Sequence, residues 1–197
     1  MKIGLFLGSF NPVHMGHLII ANTMAYTTDL EEVWLIPAPP SPFRSKKTTL
    51  PKSARIEMIN ISISDNPRLK VFDFISSSPT VFTMLKPSYI VDNLNKLSDK
   101  FPEHEFKLII GEDALVKFKK WNVFNKVLEK YEIYVSPKNN TPDSDFKKHP
   151  KVKFIEVPLI LDISGTYIRN AIKNRHPINY LVPSVVQEYI YTNEFFI

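Results

Sequence analysis

The sequence predicts an α/β fold, a doubly wound, Rossmann-like parallel sheet flanked by helices, and three observations carry that expectation. Short apolar runs with the length and branching of buried strands alternate along the chain with stretches of helical spacing. Three of the runs lead into glycine-containing strand-to-helix junctions, at Gly8 to His17, Gly111 to Asp113 and Ile163 to Arg169. Of only five glycines, Gly8, Gly16, Gly111 and Gly165 lie at these junctions and Gly4 lies in the first strand, while loops elsewhere use proline. A glycine-poor chain that concentrates its glycines at strand C-terminal ends is expected to be making room for a ligand there.

Each element follows from its own residues. Ile3 to Leu7 reads as a buried strand, and the face beginning at Leu18 makes Gly16 to Tyr26 a helix. Glu32 to Pro37 is a second buried strand, followed by a proline-rich basic loop, Pro37 to Pro51, that carries Arg44, Lys46 and Lys47. Ile56, Ile59 and Ile63 form the stripe of a helix from Ser53, with Arg55 and Glu57 on its polar face. Lys70 to Ile75 is a strand candidate, and Thr80 to Lys86 fits no pattern. A helix opens at Pro87-Ser88-Tyr89, Ser88 being its expected cap, with Val91, Leu94 and Leu97 inward.

Phe106 to Ile110 is a continuous apolar strand that runs into Gly111. Val123 to Tyr131 is amphipathic, with Phe124, Val127 and Leu128 on one face. Glu132 to Ser136 and Lys153 to Val157 are further strands, separated by a polar loop whose basic run, Lys147-Lys148-His149, reads as a solvated face. Ser164 is a good N-cap for the helix holding Ile168 and Ile172, and Ser184 with Gln187 spells a capping box before the last helix.

Composition narrows the classes. With 44% hydrophobic and 23% charged residues, the chain fits a single globular domain over residues 1–197. The chain enters its first strand directly from Met1, and no apolar run reaches the length of a membrane span, so a cytoplasmic protein with no membrane partner is expected. The absence of cysteine excludes disulfides and a thiol nucleophile. A net charge of +5 suits either a polyanion-binding protein or an enzyme of small phosphates.

The first junction, G-S-F-N-P-V-H-M-G-H from Gly8 to His17, is where chemistry concentrates. Gly8 and Gly16 would let a ligand approach the main chain, and the unpaired N–H groups opening a helix attract anions. His14 and His17 are three apart, so both imidazoles would share a helix face and lean toward that anion. Zinc is disfavoured by the lack of cysteine or a third nearby ligand, and neither G-x-G-x-x-G nor the Walker pattern fits.

The run resembles the H-x-G-H motif of the nucleotidyltransferase superfamily, here His14-Met15-Gly16-His17. Together with Pro87-Ser88-Tyr89, Ile109-Ile110-Gly111-Glu112-Asp113, Trp121 and Ile163-Ser164-Gly165-Thr166-Tyr167-Ile168-Arg169, it resembles the bacterial nicotinate mononucleotide adenylyltransferases over nearly the whole chain. The resemblance implies transfer of AMP from ATP to nicotinate mononucleotide, releasing pyrophosphate, in NAD synthesis. It also implies dependence on Mg²⁺, held mainly by the phosphates and with no metal ligand assigned to the protein, and no covalent enzyme intermediate.

In that reading His14 and His17 meet the triphosphate, His17 at the α-phosphate, and a phosphate neighbour favours protonated imidazole. The Ser9 and Phe10 amides hold phosphate beside Gly8 and Gly16. Arg169, with Arg44 and Lys46 on the basic loop, holds the β- and γ-oxygens. Gly111, Asp113, Ile163 and Ser164 belong to the ATP side, with the Asp113 carboxylate accepting ribose hydroxyls. Ser88, Tyr89, Ile90 and Trp121 form the mononucleotide side, with Trp121 stacking on the pyridine ring.

Four departures bear on substrate preference rather than reaction type. Ile90 stands where the family usually has Thr, Ser41-Pro42-Phe43-Arg44 replaces its usual loop sequence, Gly165 replaces a common Ser, and residues 76–86 lengthen the approach to Pro87. The alternatives are a sister enzyme using nicotinamide mononucleotide, one using pantetheine phosphate or a cytidylyl substrate, and a non-catalytic basic nucleotide- or nucleic-acid-binding module. The basic residues cluster near phosphate-type turns rather than interleaving with aromatics, so no nucleic-acid partner is expected. A homo-oligomer is left open.

Overall fold

The computed structural model describes residues 1–38, 49–73, 87–118, 123–138, 145–158 and 162–197, with the backbone alone for 87–90, 93, 116–118, 123–124 and 145. Arg44, Lys46 and Trp121 therefore lie outside the described residues, as does the unassigned Thr80 to Lys86.

Six parallel strands form one sheet in the order β3-β2-β1-β4-β5-β6. They are β1 (Lys2–Gly8), β2 (Glu32–Pro37), β3 (Leu69–Val71), β4 (Glu105–Gly111), β5 (Ile133–Ser136) and β6 (Val152–Phe154). The helices are α1 (Met15–Thr27), α2 (Lys52–Ser62), α3 (Pro87–Lys100), α4 (Glu112–Phe118), α5 (Val123–Lys130), α6 (Gly165–Lys173) and α7 (Ser184–Thr192). Every strand pair is parallel, so each connection is a crossover.

Alternation along the central strands divides the core. Ile3 and Leu5 of β1, with Phe106, Leu108 and Ile110 of β4, face Leu94 and Leu97 of α3 and Val127 and Leu128 of α5. Phe6 and Ile109 point the other way, among Ala21 and Met24 of α1, Met58 and Ile59 of α2, Ile168 of α6 and Ile190 of α7. Gly4 belongs to this second face, where a Cβ would stand 2.6 Å from Ile109 Cδ1 and 2.7 Å from Leu30 Cδ1. Strand order reverses between β1 and β4, so their C-terminal ends diverge and leave a crevice.

The element expectations hold with six corrections, one being β6, which spans Val152–Phe154 where the sequence predicts Lys153 to Val157. Ser88 is not the cap of α3, because the helix already begins at Pro87, a residue favoured at the first helical position. Ser184 likewise lies inside α7; Pro183, with φ −56°, takes the N-cap place, and no side-chain cap bond forms. β3 is three residues long, although Phe72 N–H continues the pairing to the Leu35 carbonyl at 3.0 Å. The helix α4 follows β4 without a loop, an element that the pattern around Gly111 did not announce. Lys147 is not part of a free solvated face: its ammonium lies 3.2 Å from the buried Glu112 carboxylate and 5.5 Å from the Phe154 ring centroid.

At the N-terminal end of the sheet, opposite the crevice, Lys107 of β4 is 3% exposed in its side chain. Its ammonium donates to Asp29 Oδ2 at 2.8 Å and to Tyr134 Oη at 3.1 Å, and stands 2.9 Å from Glu132 Oε2. Tyr134 Oη in turn donates to Asp29 Oδ1. A buried cation is tolerated here because three oxygen partners surround it.

Candidate active site

The crevice between β1 and β4 is lined by Ser9, Pro12, His14, Gly16 and His17 from the first junction and by Gly111 and Asp113 from the second. Asp162 to Thr166 close it from the third junction, and Ser136 to Lys138 after β5 complete its wall. It encloses about 320 Å³. The topology thus brings together three junctions spread over most of the chain, the first and third tied directly by the Arg169 to Asn11 hydrogen bond.

Helix α1 opens under this crevice. His14 is its N-cap in an extended conformation (φ −147°, ψ 168°), and its backbone N–H donates to His17 Nδ1 at 3.3 Å. An Nδ1 that accepts leaves the ring proton of neutral His17 on Nε2. The two imidazoles stack at 3.6 Å between centroids and 25° between planes, and the Phe10 ring lies 4.8 Å from His17 on another side. His17 is therefore held by rings rather than by counter-charges.

Without a phosphate neighbour, that environment disfavours protonated imidazole. Burial pushes the His14 pKa down to about 4, and burial first, then the neighbouring His14, depresses His17 well below its ordinary value. Both rings are neutral at pH 7 unless a bound anion supplies the missing negative charge. The folding consequence has a definite sign. The unfolded chain binds the His14 proton more tightly, so His14 contributes fully above pH ~6.5 and its contribution falls as pH drops toward its folded pKa. Stability without nucleotide is expected to fall by about 2 kcal/mol between pH 7.5 and pH 5 through His14 alone. Denaturant titrations at the two pH values, compared with His14→Gln, check this; an equal slope in the variant would exclude His14 as the source.

The glycines make room for the site's own side chains. A Cβ on Gly8 would meet the Phe10 ring at 2.8 Å, and one on Gly16 the His14 ring at 3.2 Å. One on Gly111 would meet Asp113 Oδ1 at 2.8 Å. Gly16, Gly111 and Gly165 line the crevice, whereas Gly8 does not, and neither does Phe10, whose ring is wholly buried beneath the turn at φ 41°.

Gly165 lies against the Asn11 carbonyl oxygen, which is 2.8 Å from its would-be Cβ. Gly165→Ala would push backbone against backbone, and a loss of about 1–3 kcal/mol is expected. A fall in the denaturation midpoint at constant m-value reads it; an unchanged midpoint would show that the turn and α6 separate freely.

Of the expected residues, Ser9, His14, Gly16, His17, Gly111, Asp113, Ile163 and Ser164 meet at the crevice. Ser164 caps α6 as expected, accepting from Tyr167 N–H at 3.2 Å. Arg169 reaches back along α6 but does not line the crevice: it donates to the Asn11 carbonyl at 2.8 Å and to Thr166 Oγ1 at 3.0 Å. Ser88, Tyr89 and Ile90 form the first turn of α3. Among the described residues no group of three or more His, Asp or Glu is arranged to hold a metal ion.

Three residues of the site escaped the sequence reading. Arg55, taken as polar surface, is 2% exposed and donates to the Ser9 and Ala38 carbonyls, each at 2.7 Å. Asn11 is buried and ties the turn to Leu50 through its side-chain oxygen, at 3.1 Å. Glu112 is buried and accepts from Lys138 N–H at 2.9 Å, which holds the wall after β5 to the start of α4. Only the Asn-Pro pair carried a signal, as a turn marker.

No helix among the described residues is long and apolar enough to cross a membrane. The cytidylyltransferase-like family model matches residues 5–171. A protein of Cytophaga hutchinsonii, named "Probable nicotinate-nucleotide adenylyltransferase", is 45% identical across 100% of this chain and 98% of its own length. One of the same name from Flavobacterium psychrophilum is 42% identical across 100% and 99%. The fold is similar to that of Plasmodium falciparum nicotinic acid mononucleotide adenylyltransferase complexed with NaAD, with a TM-score of 0.80 at 19% identity over 99% of this chain and 97% of that one. The histidine-bearing turn at the sheet's switch point is thus part of a shared scaffold, and the chain belongs to the cytidylyltransferase-like family, among the nicotinate-nucleotide adenylyltransferases.

Proposed function

We infer that this chain transfers AMP from ATP to nicotinate mononucleotide, giving nicotinate adenine dinucleotide and pyrophosphate. The observation that carries the reading is the neutral, ring-held His17, whose Nε2–H is presented at the opening of α1 within a crevice at the switch point. The residues 1–197 act as one nucleotidyltransferase domain, in the cytoplasm.

The acceptor is a phosphate oxygen already ionised at neutral pH, so no general base is needed. It attacks the α-phosphorus of ATP, one P–O bond forms, and the bond to the β-phosphate oxygen breaks as pyrophosphate departs. Positioning and charge neutralisation suffice for such a step. His17 Nε2–H donates to a non-bridging α-oxygen as charge grows there, and His14 lies beside it. The amides opening α1 and the Ser9 turn receive further phosphate oxygens.

Adenosine is directed to the opposite wall, where Gly111, Asp113, Ser136 to Lys138, Ile163 and Ser164 line the crevice. Arg169, Arg44 and Lys46 are assigned to the β- and γ-oxygens, Arg169 by exchanging the Asn11 carbonyl for phosphate. Ser88, Tyr89, Ile90 and Trp121 are assigned to the acceptor. Mg²⁺ needs hard oxygen ligands and keeps several waters. Asp113 and Asp162 on the crevice lining would accept from those waters, and the phosphate oxygens would hold the ion itself. Bound there, the ion offsets triphosphate charge.

A second reading, in which nicotinamide mononucleotide is the acceptor, rests on Ile90 standing where a hydroxyl would help hold the nicotinate carboxylate. Pyrophosphate release with ATP and Mg²⁺, run with each mononucleotide and with the dinucleotide confirmed by mass, separates the two. Preference for the acid is expected. Preference for the amide would keep the chemistry and change the acceptor, and release with neither from folded protein would overturn the inference.

A further inference from the structure

Among the described residues, Arg55 is the one buried cation near the crevice for which the transfer mechanism above has no use. It projects from the first turn of α2 with 2% exposure. Its Nη1 donates at 2.7 Å to the carbonyl of Ser9, which lines the crevice, and at 2.7 Å to that of Ala38, directly after β2. Its Nε is buried without a hydrogen-bond partner. Among the described residues no carboxylate forms an ion pair with it, unlike Lys107 with Asp29 and Glu132 at the other end of the sheet.

Two physical consequences follow. In a trans peptide the C=O and the following N–H point in opposite directions. An arginine that holds the Ser9 carbonyl beneath the turn therefore turns the Phe10 N–H away from itself. The orientation has to be enforced, because Phe10 sits at φ 41°, a conformation that is strained for a bulky residue. The second consequence is electrostatic. Guanidinium stays charged even when burial depresses its pKa, as it does here. A charge answered only by carbonyl dipoles in a poorly screened interior leaves a positive potential on the side of the turn where phosphate is expected.

We propose that Arg55 is a positioning residue of nucleotidyl transfer: it clamps the Ser9 and Ala38 carbonyls from below, setting the phosphate-binding turn, and supplies a buried positive charge that the ATP triphosphate neutralises. The proposal rests on the ATP half of the reading above and is independent of which mononucleotide is the acceptor. It places the triphosphate within the field of α2 as well as at the opening of α1, and so gives the α2 helix a part in nucleotide capture.

The test compares Arg55→Met and Arg55→Lys with the wild-type chain. The measurements are thermal unfolding without nucleotide, calorimetric binding of Mg·ATP and of inorganic pyrophosphate, and kcat and KM for each substrate. For folded R55M the expected result is at least about tenfold weaker binding of ATP and pyrophosphate and a kcat lowered about tenfold or more, with the mononucleotide KM within about twofold. R55K should recover most of the binding, because the charge returns, but not kcat, because a single ammonium cannot replace the fork on two carbonyls.

Folded R55M whose ATP binding and kcat both stay within about twofold of wild type would overturn the proposal. So would equal weakening for the mononucleotide and ATP, which marks general loosening. If R55M does not fold, R55K decides: recovered ATP binding with depressed kcat supports the clamp, and wild-type values in both refute it. Failure of the acceptor assignment is distinguishable, since it would leave wild-type ATP and pyrophosphate binding, and their dependence on Arg55, intact.

Discussion

Replacing His17 with alanine is expected to lower kcat about a thousandfold while changing ATP affinity only a few-fold. The asymmetry follows from how the ring is held. His17 Nδ1 is occupied by the His14 N–H, the ring is packed against His14 and Phe10, and burial keeps it neutral. A neutral donor gains little from a phosphate already bound by amides and Mg²⁺, and gains most when charge builds on the α-oxygens in the transition state. His17→Asn is informative beside alanine, since it retains a donor without the ring. Single-turnover rates and ATP binding measured on both variants check the assignment; equal losses of binding and turnover would sink it.

Lys107→Met is expected to destabilise the fold by about 3 kcal/mol, with wild-type KM values in the protein that remains folded. Removing the ammonium takes a donor from Asp29, Glu132 and the Tyr134 hydroxyl, leaving Lys2 as the cation on Asp29 and Lys153 as the cation on Glu132. The loss sits at the low end for a broken buried pair, because both carboxylates are partly exposed, 42% and 29% in their side chains, and water screens them.

The pH dependence of that difference has a definite sign. Against the upward push of burial, Lys107, Lys2 and Tyr134 hold the Asp29 pKa below the ordinary carboxylate range, and its partners hold Lys107 above the usual lysine value despite its own burial. Burial and the Asp29 hydrogen bond push Tyr134 up to about 12. A carboxylate depressed on folding stabilises above its unfolded pKa and loses that contribution as pH falls through the folded value; a raised lysine stabilises below its unfolded pKa. The gap between wild type and Lys107→Met should therefore be flat from about pH 5 to pH 9 and narrow below about pH 4. Urea denaturation across that range measures it, and a gap that stayed constant down into acid would assign the loss to packing alone.

These two sites mark the two ends of one sheet and two different demands. At the N-terminal end the buried cation is matched by carboxylates, so its energy goes into stability. At the C-terminal end the buried Arg55 is answered by the Ser9 and Ala38 carbonyls, and the helix opening lies beside stacked neutral rings. Positive potential left unmatched by the protein is what a triphosphate site requires.

The doubly wound sheet, its strand order of junctions and the histidine pair were determined by local features of the sequence. Strand runs such as Phe106 to Ile110 are continuous in apolar character because both faces of the sheet are covered, and the three-residue spacing of His14 and His17 is itself a local feature. What the tertiary structure decided is how distant pieces answer one another. Arg55 looks like surface because its helical face is polar in sequence, but the turn carrying Ser9 and the end of β2 close over that face and supply two carbonyls.

Glu112 reads as a solvent residue until Lys138 and Lys147 fold onto it, and Gly8 reads as a ligand contact until the Phe10 ring fills the space. The histidines' charge state was likewise beyond the motif, since it is set by burial and stacking. Periodicity records which side chains a segment hides, and it holds no record of which polar groups from other segments will meet them. That second question is settled by sheet order, which brought β1, β4, α2 and α6 to one edge.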